Sequence, residues 1–258
     1  MLRETFKDRL IGMNQEFRFR GTEPGRLENF SDAVFALAIT LLLISTSPPT
    51  NFDQIKRFAW ELLPFSLCIT LIIMIWNEHF VFYFRYGLRN GTVILLNTIF
   101  LVIILFYVYP LKFLTRLILV PVAHLFNNQN LITEFSGVIR GEDVGELMMI
   151  YGIGASAVFF VLFLMYRYAY KKADELELNE IERFDTRTRI KTNLLMGTVP
   201  LISTLLAWIF MGSWLAGPVA GFSYFLYMPI MSINAARVAK NREALLKSQK
   251  VDLPVNTG

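Results

Sequence analysis

Residues Thr92 to Val120 read TVILLNTIFLVIILFYVYPLKFLTRLILV, an apolar run whose first charge is Lys112. A helix needs about 20 mainly apolar residues to cross a hydrocarbon layer of about 30 Å, and this stretch is long enough. Working outward, comparable runs occupy Leu27 to Ser47, Ala59 to Phe84, Glu146 to Tyr170, Asn193 to Met211 and Leu215 to Ala235. The 258-residue chain is 54 % hydrophobic and only 18 % charged, which excludes an ordinary soluble domain. None of the runs alternates polar and apolar residues as a membrane barrel requires, and open strand edges cannot be satisfied in lipid. The sequence therefore predicts an all-α, polytopic membrane protein with six transmembrane helices.

The net charge of +4 does not point to nucleic acid, because the basic residues sit at the ends of the apolar runs. With the amino end inside, about 20 of the 25 Lys and Arg residues fall on cytoplasmic segments, as the positive-inside rule demands. Both termini are thus expected in the cytoplasm. Residues 1–26 read as a retained cytoplasmic segment, since Arg3, Lys7, Arg9, Arg18 and Arg20 interrupt any signal-like stretch. Residues 27–236 form the six-helix domain, and 237–258 a polar tail with a frayed end. The mixed-charge segment Lys171 to Lys191 is expected to be a solvated extension of the fourth span, without chemistry. Prolines 110, 200, 218 and 229 mark expected kinks, and residues 121–145 an interfacial or re-entrant piece.

Cys68 is the single cysteine, so neither an intrachain disulfide nor a Cys-based metal site is expected. Nucleotide-binding, zinc-protease and hydrolase motifs are missing, which predicts a protein without catalysis or cofactor. Ionisable groups inside spans are costly and draw a functional hypothesis. Asp32 on the first span and Glu78 and His79 on the second share a depth, Arg26 stands at the inner mouth, and the Trp76 indole can donate inward. A cluster of Arg26, Ser31, Asp32, Trp76 and His79 has two readings: a pin between helices one and two, or a direct conduction or proton-relay role for Asp32 and His79. Glu61 and Glu146 read as rim residues, and His124 has no companion for a metal site.

On a helix turning about 100° per residue, Leu41 and Ile44 fall within about 40° of Leu37, with Thr40 beside them at about 60°. Asp32 points about 140° away. This stripe faces lipid, or it faces copies of itself across an axis. In the second case apolar rings gate by dewetting, and a layer of hydroxyls replaces part of an ion's hydration shell. The Thr-Val-Gly-Tyr-Gly filter is absent from the chain.

Arg26, Phe30, Ser31 and Asp32, followed by the apolar run from Ala33 to Leu43, resemble the Arg-x-x-x-Phe-Ser-Asp signature of the transmembrane protein 175 family. That family comprises endosomal and lysosomal potassium channels and their prokaryotic relatives. Trp76 and His79 resemble the Trp-x-x-His pattern on its second helix. With one Phe-Ser-Asp motif, the chain resembles the single-repeat prokaryotic form. The resemblance implies a homotetramer in a bacterial or archaeal cell membrane, with a potassium-permeable pore lined by the first helix. It implies constriction roles for Leu37, Leu41 and Ile44, a selectivity role for Thr40, and a supporting network of Arg26, Phe30, Ser31, Asp32, Trp76 and His79. Potassium and lipid are the implied partners, with no resident metal. Phe80 stands where many relatives carry a second His, so behaviour that relies on a His pair is not implied. The competing readings are a proton-coupled transporter or leak through Asp32, His79 and Glu78, and a non-conducting membrane scaffold.

Overall fold

The computed structural model of the protein describes residues 17–44, 50–125 and 143–251. Its elements are α1 (Arg26–Ile44), α2 (Phe52–Tyr86), α3 (Gly91–Leu125), α4 (Val144–Lys171), α5 (Glu180–Ile209), α6 (Ala216–Phe222), a 3-10 turn (Ser223–Leu226) and α7 (Tyr227–Val251). No strand occurs among the described residues. Five helical stretches are long and apolar enough to cross a membrane: Leu62–Tyr86, Gly91–Val108, Val144–Lys171, Glu180–Ile209 and Ala216–Ser248. The last joins α6, the 3-10 turn and α7. α1, with 19 residues, is not among the five; the expected first span runs on to Ser47, which lies outside the described residues. Also outside them are residues 1–16, most of the 121–145 segment, residues 252–258, and the side chains of Ile44, Glu61 and His124.

Local chemistry sets the helix ends. Asn51 caps α2 by accepting from Gln54 N at 2.9 Å. Gly87 closes it at φ 59, with its N–H donating to the Tyr83 carbonyl at 2.8 Å, the left-handed cap that glycine adopts without steric cost. The chain before α1 lies against this end: Gly21 N donates to Phe84 O at 3.1 Å, and a Cβ at Gly21 would run into the Tyr83 carbonyl. Phe17, 2 % exposed, packs edge-on against Tyr86.

The segment after α4 differs from its sequence reading. α4 stops at Lys171, residues 172–177 form turns, and α5 begins at Glu180, well before the expected start at Asn193. Asn179 and Glu182 form a reciprocal capping box, at 2.9 and 3.0 Å. Glu182 is 1 % exposed and also takes Arg20 Nη1 and Nη2 at 3.0 and 2.9 Å and Arg18 N at 2.7 Å. The expected helical extension is therefore broken by a turn, and the buried Glu182 after it holds the chain leading into α1. Glu182 is consumed by a cap and a buried ion pair and Asp185 is buried against Arg242, whereas Lys171, Arg187 and Lys191 stay exposed, a division that sequence patterning does not distinguish from uniform solvation.

α4 and α5 pack closely through small residues, as membrane helices do. Ser156 Oγ donates to Gly197 O at 3.0 Å, and a Cβ at Gly152 would collide with Thr204 Oγ1 and the Pro200 carbonyl. Tyr227 OH to Met196 O (2.6 Å), Asn234 Nδ2 to Thr192 Oγ1 (3.2 Å) and Arg242 Nε to Asp185 Oδ1 (3.2 Å) then tie α7 along α5. The tail expected after Ala235 is helical as far as Val251, because Arg242 gives that polar extension a buried acidic partner.

Candidate functional site

α1 has two unlike faces. Glu28, Ser31, Phe35, Ala38 and Leu42 recur at helical spacing and are all buried, Ser31 and Ala38 completely. The opposite face carries Phe30, Leu37 and Leu41, which are 63 %, 50 % and 41 % exposed within the single chain. Thr40 is exposed beside them, and its hydroxyl donates to Ala36 O at 2.9 Å. That leaves its lone pairs available on the outward side. Phe30 thus stands with the leucine row rather than with the polar residues that follow it.

The polar residues expected to cluster divide into two groups. On the buried side, His79 Nε2 lies 2.6 Å from Asn97 Oδ1, and Asn97 Nδ2 donates to Ser31 Oγ at 3.0 Å. Ser31 in turn donates to Leu27 O at 2.8 Å. The His79 ring stacks on Phe100 with centroids 5.2 Å apart and 5° between planes, and it contacts Phe35 and Tyr83. This chain joins α1, α2 and α3 within an otherwise apolar core. On the other side, Trp76 Nε1 donates to Asp32 Oδ1 at 2.7 Å, pinning α1 to α2 alone. No hydrogen bond links Asp32 with His79 among the described residues. Arg26 is exposed at the start of α1 and takes neither an ion-pair nor a hydrogen-bond partner among the described residues. Glu78 pairs with Arg189 of α5 at 2.6 Å.

Asn97 is the residue that the motif reading missed. Its signal was present: it is the one amide in the run from Thr92 to Val120, and a lone polar side chain in a span seeks a partner on another helix. Which helix was not legible. Among the described residues no group of three His, Cys, Asp or Glu could hold a metal ion. A cavity of about 430 Å³ lies between the other helices, lined by Leu71, Tyr107, Tyr151, Met196 and Tyr227 among others. Its lining includes no residue of α1 and is almost wholly apolar.

The long apolar helices, which bury Ser31, His79 and Asn97 between them, define a polytopic α-helical integral membrane protein. The family model described as the endosomal/lysosomal potassium channel TMEM175 matches residues 26–107, the segment that contains both polar groups and the outward row. A Marivirga tractuosa protein named "Potassium channel" is 42 % identical over 247 residues, covering 95 % of this chain and all of the relative. A crystal structure of the potassium channel MtTMEM175, in a threonine-to-alanine variant bound to a nanobody–MBP fusion, superposes with TM-score 0.79 and 42 % identity. That match covers 89 % of this chain and 100 % of the other. The chain belongs to the TMEM175 family.

Proposed function

We propose that the protein is a potassium-permeable cation channel of a bacterial cell membrane. Four copies surround a central axis lined by α1, and ions pass passively along it. The reading takes six spans per chain, α1 being the sixth beyond the five that qualify by length and composition, with both termini cytoplasmic and residues 27–236 as the channel domain. Leu37, Leu41 and Ile44 form the apolar constriction, and Thr40 supplies the hydroxyl layer that replaces part of the ion's hydration shell. Ser31, Asp32, Trp76 and His79 hold α1 from behind, with Asn97 added to them.

The carrying observation is the division of α1. One face is locked into the protomer by Ser31, Phe35, Ala38 and Leu42, while Leu37, Thr40 and Leu41 are left without cover. A pore lined by the outward row requires other copies to complete it, and family membership at 42 % identity to a named potassium channel supplies the expected cargo. Liposomes loaded with potassium and containing the purified oligomer test the reading. Flux above empty vesicles is expected, with altered selectivity in Thr40→Val. A folded oligomer that passes no potassium rejects it. Current that follows a proton gradient, vanishes in His79→Ala and survives in Leu37→Ala would instead identify a proton pathway.

A further inference from the structure

The outward seam between α4 and α5 carries a pattern unrelated to the α1 row. Arg187 Nε donates to Tyr170 OH at 2.6 Å, and its guanidinium lies 5.0 Å from that ring's centroid. This contact fixes the register of the antiparallel pair. Arg167 is then level with Lys191, and Lys171 with Arg187, in two tiers about 6 Å apart at 1.5 Å rise per residue. All four cations are exposed, and none forms an ion pair among the described residues. Two acids of the adjoining turn are engaged elsewhere, Asp174 by Arg183 and Glu175 by Lys172.

Toward the middle of the same seam lies a groove of about 320 Å³, whose lining includes Ala157, Phe160, Leu194, Gly197, Thr198 and Leu201. These positions continue the helix faces that carry the cations: Ala157, Phe160, Arg167 and Lys171 fall within one sector of about 80° on α4, as do Arg187, Lys191, Leu194, Thr198 and Leu201 on α5. Phe160 and Lys171 are about 16 Å apart along the axis, close to half the thickness of a hydrocarbon layer. Cations at headgroup level therefore place the groove beside acyl chains. Gly197 keeps it open; a Cβ there would meet Phe159 Cβ at 3.4 Å, an ordinary contact.

We propose that this seam binds a phospholipid with an anionic headgroup, its phosphate among Arg167, Lys171, Arg187 and Lys191 and one acyl chain in the groove. Charge complementarity selects the occupant, since four uncompensated cations oppose docking of a second copy of the same basic seam. The inference does not depend on what passes along α1.

The test uses the purified, delipidated full-length protein, titrated in non-denaturing detergent with phosphatidylglycerol or phosphatidylcholine, with bound lipid counted by native mass spectrometry. Phosphatidylglycerol is expected to bind preferentially. The double variant Arg167→Gln/Lys191→Gln should weaken it at least about tenfold, given about fivefold per interfacial cation, without changing phosphatidylcholine binding. Gly197→Leu should lower its retention severalfold by filling the groove. Unchanged phosphatidylglycerol binding in either variant overturns the proposal, as does a changed oligomeric mass in the double variant, which would make the seam a contact between copies. Should the double variant fail to fold, wild-type protein decides: the preference should disappear at about 1 M salt, where charge screening is nearly complete, and its persistence overturns the proposal.

Discussion

The two faces of α1 are built from similar residues and meet opposite fates. Phe35 and Leu42 are buried to 3 % and 1 % exposure, whereas Phe30 and Leu37 remain 63 % and 50 % exposed in the isolated chain. Side-chain type does not separate them. Position around the helix does, because Ser31 and Asp32 have hydrogen-bonding partners on α3 and α2 that fix the rotation of α1. In a membrane, burying one leucine rather than another gains little from the hydrophobic effect, since lipid tails are equally apolar, and packing and polar bonds decide the orientation.

The sharpest way to break the comparison is Phe35→Ala, which opens a cavity beside His79 and Phe100. A loss of about 3–5 kcal/mol is expected in thermal or denaturant unfolding in detergent, with unchanged ion selectivity in whatever protein remains folded. A smaller loss, about 1–3 kcal/mol, is expected for Asn97→Leu, which strands the His79 nitrogen in the core and removes the amide donor to Ser31 Oγ, whose own bond to Leu27 O remains. A double-mutant cycle with His79→Ala should show coupling between the two positions.

Trp76→Phe keeps an aromatic ring stacked near Phe80 and removes only the indole donor to Asp32. About 0.5–1.5 kcal/mol should be lost, and an equal loss in the Asp32→Ala background would show that the bond contributes nothing. At the small end, Leu37→Ala and Thr40→Val should change stability by no more than about 0.5 kcal/mol. The same two changes should nonetheless alter transport in reconstituted vesicles: a severalfold rise in potassium flux for Leu37→Ala, and a shifted potassium-to-sodium ratio for Thr40→Val that Thr40→Ser restores. If both leave flux and selectivity unchanged, the outward face does not line the path.

The helical class and the positions of the long apolar stretches were legible because spanning a bilayer imposes length and composition on each segment separately. The Trp76–Asp32 pair was also within reach, since the two residues belong to motifs on successive antiparallel helices and the Trp76 indole, one turn from His79, can donate inward. Depth alone misled for His79. It shares the level of Asp32, but its ring lies on the α3 side of α2, where Asn97 meets it. Sequence patterning likewise treated Asp174, Glu182 and Arg187 as members of one solvated run. In the fold Glu182 is buried against Arg20, Asp174 is a surface partner of Arg183, and Arg187 stacks on Tyr170.

By itself, the sequence determined that the chain is a bundle of membrane-crossing helices and that α1 carries an apolar stripe opposite its carboxylate. Both follow from the fixed rise and turn of a helix and from the cost of leaving backbone polar groups unpaired in lipid. Only the tertiary structure decided which polar residues meet, that the entry to α1 is clamped to the turn before α5, and which face of α1 the chain leaves uncovered. Those outcomes depend on the rotation of each helix about its axis, and that rotation is set by partners distant in the chain, such as Ser31 with Asn97 and Arg20 with Glu182.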